Sequence, residues 1–301
     1  MRKSRAPYVC FIAPALIFYI VFMFWPLISS LGLSFFQWTG YGEKTFVGFE
    51  NFIKLFTHAE FSKRFWNALS NNALFFVFTI VFQNLVAVLI AVLLTLKIKG
   101  ARFFRTMFFL PTTLSIVIVG FIWTLIYNPL WGPLNVTLKG IGLKSLAIPW
   151  LGDESTALIC VAITNAWQYM AIPMLLFTAG IQAIPEETYE AASIDGANGW
   201  KQFAHITLPL IAPVMFIITT LVFVSNFSAF EIIYAMQGTL GAPNYATDIL
   251  GTFFYRTSFG QRAGAPPDMG MGAAIATIMF IVILIGVAVW FKIYGNRRAE
   301  S

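Results

Sequence analysis

The chain has 301 residues, of which 58% are hydrophobic and only 11% are charged, with a net charge of +6. Ordinary soluble domains carry about 25% charged residues. This composition excludes a typical soluble domain. It also excludes a nucleic-acid-binding surface, because the basic residues form no stripe outside the loops. The sequence predicts an all-α protein that crosses a membrane several times.

Six apolar stretches are each long enough to cross about 30 Å of hydrocarbon as a helix of about 20 residues. Helices are expected because lipid cannot satisfy backbone polar groups. The predicted spans are residues 8–30, 71–96, 104–127, 157–183, 208–230 and 271–291. Together they form one predicted transmembrane domain over residues 1–301. The first apolar run lacks a clear small-residue cleavage site, so we expect it to stay as a membrane anchor.

The basic residues of short loops predict the orientation in the membrane, because such residues concentrate on the cytoplasmic side. They lie before the first span, around the connection between the second and third spans, and after the sixth: Arg2, Lys3, Arg5, Lys97, Lys99, Arg102, Arg105, Lys292, Arg297 and Arg298. With six spans these positions share one side. Both termini and the loop at 185–209 are therefore predicted to be cytoplasmic. The longer connections 31–70, 128–156 and 231–270 are predicted to face outward.

A seventh span through residues 232–254 is the main alternative count. Asn244 and Asp248 place polar groups in this stretch, and Gly241 and Pro243 break its helical pattern. The sequence therefore favours an outer loop with one short helix.

The polar loop, residues 185–209, joins the fourth and fifth spans. Pro185 fits the first position of a helix, where its missing N–H is not needed, and the helix is predicted to continue to about Ile194. Gly196 can adopt the positive φ that ends a helix, and Asn198 can cap a second short helix. The polar loop is thus predicted to be a compact pair of short helices.

The polar loop has four acidic residues and one lysine. On a basic membrane face, which would meet anionic lipid, this balance favours contact with a protein partner. The small residues Ala191, Ala192, Gly196 and Ala197 would let another protein's surface approach closely. The alternative is an amphipathic loop that lies in the membrane interface without a partner.

Glu190-Ala191-Ala192, followed by Gly196 and then by Ile206-Thr207-Leu208-Pro209, resembles the EAA loop of permease subunits of bacterial ABC importers. The wider pattern is similar to the carbohydrate-uptake branch, the maltose and glycerol-3-phosphate importer permeases, at Asp195, Ala197, Trp200, Phe203 and Pro213. The resemblance implies the six-helix bundle of a type I ABC importer permease. It also implies that the polar loop is the coupling helix, which sits in a cleft of the ATPase subunit. The implied contact residues are Glu190, Ala191, Ala192, Asp195, Gly196 and Ala197.

The same resemblance implies the function and the partners. The chain would form half of the pathway for a sugar, oligosaccharide or polyol in the bacterial cytoplasmic (inner) membrane. Its implied partners are a second homologous permease subunit, two ATPase subunits, an extracytoplasmic solute-binding protein and membrane lipid, with no nucleic acid. ATP and magnesium would be bound by the partner ATPase, and this subunit would need no cofactor. A homodimer is the alternative to a pair of different permeases.

Two observations argue against catalysis by the chain itself. No lysine follows a glycine, so the Gly-Lys-Ser/Thr of a phosphate-binding loop is missing. Cys10, Cys160, His58 and His205 are isolated from one another and suggest no metal site or nucleophile. The alternatives to an importer permease are a secondary transporter and a membrane-embedded enzyme or assembly factor. A secondary transporter would be expected to show broken spans in two repeats and an ion site, and the sequence indicates neither.

Polar side chains within hydrocarbon are costly and usually face a bundle interior or a water-filled cavity. The candidates for a solute path lie in the second, fourth and fifth spans: Gln83, Asn84, Asn165, Gln168, Tyr169, Asn226, Phe227 and Ser228. At about 1.5 Å per residue, Asn165 lies about 12 Å from residue 157 and Asn226 about 27 Å from residue 208, so both can border one outer-half cavity. The alternative is hydrogen bonding between helices, worth about 1 kcal/mol each. Glu231, at a span end, is expected to be a rim or loop contact.

Overall fold

The computed structural model describes residues 6–96, 99–260 and 266–299. Helices dominate these residues. In chain order they are α1 Ala6–Tyr19, α2 Trp25–Leu33, α3 Glu50–Thr57, α4 Ala59–Thr95, α5 Ala101–Phe109, α6 Ile116–Ile126, α7 Pro133–Gly140, α8 Ala157–Tyr169, α9 Ala171–Gln182, α10 Glu186–Ile194, α11 Gly199–Gln202, α12 Leu208–Leu210, α13 Ala212–Phe227, α14 Glu231–Gln237, α15 Leu250–Phe259 and α16 Met269–Ala299.

Shorter elements connect these helices. Two π-helical segments cover Ile20–Phe24 and Phe203–Thr207, and two 3-10 turns cover Leu110–Thr113 and Lys144–Leu146. Two antiparallel strands, β1 Phe36–Gln37 and β2 Thr45–Phe46, pair with Phe36 opposite Phe46.

Three helical stretches are long and apolar enough to cross a membrane: Phe11–Leu33, Ala59–Thr95 and Met269–Gly295. Three bent helix pairs pass the same test, so the described residues hold up to six spans if each pair counts as one. The predicted class, an all-α membrane protein, is confirmed. The single domain over 1–301 stays a prediction. So does the orientation, and Arg2, Lys3, Arg5 and Lys97, which contribute to it, lie outside the described residues.

The third predicted span is broken. The helical stretch Ala101–Thr113 meets α6 at an angle of 100°. Pro111 lies in the 3-10 turn before this break. Proline lacks the N–H that a continuing helix needs and restricts the residue before it, so a break at this place has a local cause.

The fourth and fifth predicted spans are also broken. α8 and α9 are bent by 53°, and the stretch Gly199–Leu210 and α13 are bent by 64°. Pro173 and Pro213 lie in the first turns of α9 and α13, where a helix tolerates proline. The sequence indicates no broken span, so these bends differ from the expectation. The mark of a secondary transporter is breaks in corresponding positions of two repeats, and a bend alone is not that mark.

The segment after α13 also differs from the prediction of one short helix. It contains α14 and α15, and the residues between them are not helical. Gly238, with a φ of +72°, follows the end of α14. A continuous seventh span through 232–254 is therefore not formed.

The chain divides into two compact units: Met1–Phe65 with Phe254–Ile281, and Trp66–Phe253 with Val282–Ser301. In the first unit, Nδ2 of Asn51 donates to the carbonyl oxygens of Ser34 and Phe36, each at 2.9 Å. These bonds hold α3 to the turn after α2 and to the first residue of β1.

Two apolar clusters stabilise the second unit. One joins α4, α9 and α13, and its members Ala91, Phe177 and Ile218 are each at most 1% exposed. The other joins α4, α8 and α14, and its members Phe75 and Ile233 are fully buried. Burying one large apolar side chain stabilises a fold by about 1.5–3 kcal/mol. The clusters therefore fix the rotation of α4, α8, α9 and α13 about their own axes. These four helices line the cavity described next.

Candidate solute cavity and polar loop

A cavity of about 270 Å³ lies between α4, α8, α9 and α13. Its walls are Gln83, Asn165, Tyr169, Ile172, Pro173, Leu176, Ile218, Leu221, Val222, Ser225 and Asn226. Every lining side chain is uncharged, and more than half are apolar. Four of the eight residues predicted for a solute path therefore lie together at one cavity: Gln83, Asn165, Tyr169 and Asn226.

The amides at the cavity differ in how many of their polar atoms are hydrogen-bonded within the chain. Nε2 of Gln83 donates to the carbonyl oxygen of Tyr169 at 3.0 Å, which ties α4 to the end of α8. Nδ2 of Asn226 donates to the carbonyl oxygen of Val222 at 2.9 Å. Oδ1 of Asn226 is buried and has no hydrogen-bond partner among the described residues. An unpaired buried acceptor is costly, so a hydroxyl donor that reached Oδ1 of Asn226 would be stabilised there.

The structure places Gln168 and Asn84 away from the cavity lining. Nε2 of Gln168 donates to the carbonyl oxygen of Leu114 at 3.1 Å, and the Gln168 carbonyl accepts from Oγ1 of Thr112 at 2.8 Å. Gln168 thus holds α8 against the break in the third span. Asn84 is partly buried, with an Oδ1 that has no partner in the described part of the chain.

Phe227 and Ser228 also lie outside the lining. The ring of Phe227 packs against Phe223, with centroids 4.5 Å apart, and Phe76, at 6.4 Å. Ser228 is exposed and follows the last residue of α13. Ser225 lines the cavity and was not predicted. Ser225 lies four residues after Leu221, so the two side chains share one face of the helix. This spacing is the signal that could have predicted Ser225 as a lining residue.

The polar loop forms the predicted pair of short helices. α10 ends at Ile194, as predicted, but Pro185 lies one residue before the helix instead of at its first position, because its ψ of 137° is extended. Gly196 has a φ of +77°, which confirms the left-handed bend. Oδ1 of Asn198 accepts a hydrogen bond from the Lys201 N–H at 2.9 Å, which confirms the cap.

The bend after α10 is closed by backbone hydrogen bonds. The Ala197 N–H donates to the carbonyl of Ala192 at 2.9 Å, and the Gly196 N–H donates to that of Ser193 at 3.1 Å. This is the pattern of a Schellman motif, in which a glycine at the left-handed position lets the last carbonyls of a helix be satisfied.

Side-chain hydrogen bonds hold the two short helices together. Nε2 of Gln202 donates to Oγ of Ser193 at 2.9 Å and to the carbonyl of Ala197 at 3.2 Å. The hydroxyls of Tyr189 and Thr207 are 3.0 Å apart and share a hydrogen bond. The polar loop is therefore a preformed shape that a partner could bind without ordering it first.

The surface of the polar loop combines small, acidic and large apolar side chains. Glu190, Ala191, Asp195 and Gly196 are exposed, whereas Ala192 and Ala197 are partly buried. Two large apolar side chains are also exposed: Ile194 at 87% and Trp200 at 72%. Large exposed apolar groups beside charged ones are typical of an interaction site. The exposure of Ile194 was not predicted, because a residue at a helix end can point either way.

No group of three or more His, Cys, Asp or Glu side chains in the described ranges is placed to hold a metal ion. The cavity offers hydrogen-bonding groups and apolar contact, and the polar loop offers a preformed surface.

Comparisons with known proteins agree with this arrangement. The family model of the binding-protein-dependent transport system inner membrane component matches residues 72–300. The probable ABC transporter permease protein YurN of Bacillus subtilis is 37% identical over 302 residues, covering 99% of each chain. The probable starch degradation products transport system permease protein AmyD of Thermoanaerobacterium thermosulfurigenes is 34% identical, covering 99% of this chain and 97% of AmyD.

A solved structure shows the same fold. It is a bacterial ABC transporter involved in the import of the acidic polysaccharide alginate, and one of its chains matches with a TM-score of 0.79 at 24% identity, covering 99% of this chain and 98% of the other. This match agrees with the type I importer permease bundle. The chain therefore belongs to the family of inner membrane components of binding-protein-dependent transport systems.

Proposed function

We propose that the chain is the transmembrane permease subunit of an ATP-driven ABC importer and forms half of the pathway for a sugar, oligosaccharide or polyol. The observation that carries this proposal is the uncharged cavity lined by Gln83, Asn165, Tyr169 and Asn226. AmyD, whose described substrates are starch degradation products, supports the sugar class.

The lining chemistry fits a carbohydrate. Each hydroxyl of a sugar can donate and accept a hydrogen bond, and an amide side chain offers both kinds of group. Leu176 and Leu221 offer apolar surface to the C–H face of a sugar ring. A charged solute would lose its hydration against walls that carry no counter-charge, and such a transfer is costly. We therefore assign the cavity to an uncharged polar solute.

A second permease subunit would complete the pathway. Leu221 and Ile172 line the cavity and are still 54% and 46% exposed. Such an exposed apolar wall of the cavity fits the face of another transmembrane subunit. A homologous but different permease is our proposal, and a second copy of this chain is the alternative.

We assign the ATPase contact to the polar loop, at Glu190, Ala191, Ala192, Asp195, Gly196 and Ala197. Its acidic groups, small residues and preformed bend support this assignment. Two ATPase subunits would bind the permease pair and would hold ATP and magnesium, and this subunit would need no cofactor.

The proposed orientation follows from the proposed ATPase contact and from the basic loops. The polar loop and both termini would be cytoplasmic. The segments 31–70, 128–156 and 231–270 would face outward, where the extracytoplasmic solute-binding protein docks.

Solute-stimulated ATP hydrolysis by the purified complex tests this function. The chain is co-expressed with its proposed partners, a second permease, an ATPase and a solute-binding protein. Maltotriose, arabinotriose and glycerol are compared with a uronate trisaccharide. An uncharged compound should stimulate hydrolysis only when the binding protein is present. Stimulation by the uronate alone, or stimulation that does not need the binding protein, would contradict the proposal.

A further inference from the structure

A buried asparagine outside the cavity connects the cavity wall to the outer segment. Asn72, in α4, is fully buried and uses both ends of its amide. Its Nδ2 donates to the carbonyl oxygen of Asn226 at 2.9 Å, and its Oδ1 accepts from the N–H of Leu250 at 2.8 Å. Asn226 lines the cavity, and Leu250 is the first residue of α15.

Neighbouring asparagines attach the segment before α15 to the same helix. Nδ2 of Asn67 donates to the carbonyl of Tyr245 at 2.9 Å. Nδ2 of Asn71 donates to the carbonyls of Tyr245 and Asp248 at 3.1 and 2.9 Å. Asn67 and Asn71 thus hold the segment 238–249, but these bonds do not reach the cavity. Of these three asparagines, only Asn72 bonds both to the cavity helix α13 and to α15.

A second contact joins the start of α15 to the end of the cavity helix. A Cβ added at Gly251 would overlap the carbonyl oxygen of Ala229, which lies two residues beyond the end of α13. The two elements are therefore in van der Waals contact at Gly251 as well as bridged by Asn72. A displacement of α15 toward Ala229 would therefore push on the residues that directly follow α13.

We propose that Asn72 is a positioning residue that couples the outer segment 238–250 to the orientation of Asn226 in the cavity. This inference rests on the proposed function, in which the outer segment faces the solute-binding protein. Only a side chain with a donor and an acceptor can bridge a carbonyl and an N–H. Losing the bridge removes the partner of the buried Leu250 N–H, whereas the carbonyl of Asn226 still accepts from the Ala229 N–H at 3.2 Å. Docking on the outer side would thereby change the cavity wall that carries the free Oδ1 of Asn226.

The test measures whether an event on the outer face reaches the cavity. Ser225, which lines the cavity and is exposed, is replaced by cysteine in the complete complex, with Cys10 and Cys160 replaced by serine. The rate of labelling by N-ethylmaleimide is measured with and without the solute-binding protein. The readout is the ratio of the two rates, which cancels differences in expression and in overall stability.

Asn72→Ala is compared with Asn71→Ala, a matched removal of a buried amide. In the parent we expect the binding protein to change the labelling rate by about tenfold. One buried hydrogen bond is worth about 1.4 kcal/mol, which shifts the ratio of two cavity conformations by that factor. Asn72→Ala should return the ratio to near one, whereas Asn71→Ala should keep most of the change. An unchanged ratio in Asn72→Ala, or an equal loss in both variants, would overturn the inference.

Two further outcomes are also decisive. If Asn72→Ala does not assemble, Gly251→Ala perturbs the same junction from the side of α15. The ratio of the two labelling rates should then also fall to near one in Gly251→Ala. A parental ratio in this variant would overturn the inference. If the binding protein does not change the labelling of the parent, the coupling does not exist, while the proposed import function still stands or falls by its own ATPase test.

Discussion

Gly196 offers a test of the polar loop in which one physical effect is isolated. Its φ is +77°, and no atom lies within 4 Å of the position that a Cβ would take. Gly196→Ala therefore adds no clash within the subunit. It adds only the cost of placing an L-residue in the left-handed region, which is about 1–2 kcal/mol.

This cost acts on the proposed ATPase contact. If the ATPase binds only the bent loop, the variant should raise the dissociation constant for the ATPase subunit by up to about tenfold, since 1.4 kcal/mol corresponds to a factor of about ten. The assay titrates purified ATPase subunit against the permease pair in detergent and follows ATP hydrolysis. Membrane insertion and yield should be unchanged, because the loop lies outside the apolar core.

Gly199→Ala is the matched control. A Cβ added at Gly199 would also have no atom within 4 Å, and the φ of this residue is not in the left-handed region. Gly199 begins α11, where alanine is well tolerated. The control should bind the ATPase within about twofold of the parent, as expected for an exposed substitution worth less than about 0.5 kcal/mol. Equal ATPase binding by Gly196→Ala and Gly199→Ala would show that the left-handed bend is not needed for coupling.

Three other substitutions separate coupling from packing. Glu190→Lys reverses an exposed charge on the polar loop and should lower both ATPase pull-down and uptake while the protein still reaches the membrane fraction; normal uptake would contradict the contact. Gln168→Ala removes the hydrogen bond from Nε2 to the carbonyl of Leu114 in the third span. The complex should lose about 1 kcal/mol of stability, measured as a lower melting temperature, while the solute preference stays unchanged. An altered solute preference would assign Gln168 to the solute path. Gly286→Ala places a methyl group against the ring of Phe223 and should cost about 1–3 kcal/mol, measured by thermal unfolding in detergent; an unchanged melting temperature would show that the ring moves aside.

The polar loop was predictable because its structure is set by local signals. The end of α10, the left-handed Gly196 and the cap at Asn198 each depend on residues within a few positions of one another. The exposure of Ile194 was not predictable in the same way, because the orientation of a side chain at a helix end depends on what packs beside it.

The breaks in the spans were missed because hydropathy measures composition and not direction. A run such as 104–127 satisfies the length and polarity of a span whether it is straight or bent by 100°. Pro111 was a visible signal, but a proline in an apolar run can start, bend or end a helix, and the tertiary packing decides which.

The cavity was predicted in part for a similar reason. Polar residues in α8 mark a face that avoids lipid, yet Asn165 lines the cavity while Gln168, three residues later, bonds to the third span. The rotation of the helix, fixed by the apolar clusters, decides between these roles. The sequence names the polar positions, and the packing assigns them.

Uptake by sealed proteoliposomes distinguishes an ATP-driven importer subunit from a secondary transporter. The chain is reconstituted alone, and also with a second permease, two ATPase copies and the solute-binding protein. Uptake of radiolabelled maltotriose, arabinotriose and glycerol is measured with ATP or with an imposed proton or sodium gradient. The proposed function predicts uptake of at least one of these compounds only by the complete complex and only with ATP. Gradient-driven uptake by the chain alone would contradict it and would indicate a secondary transporter.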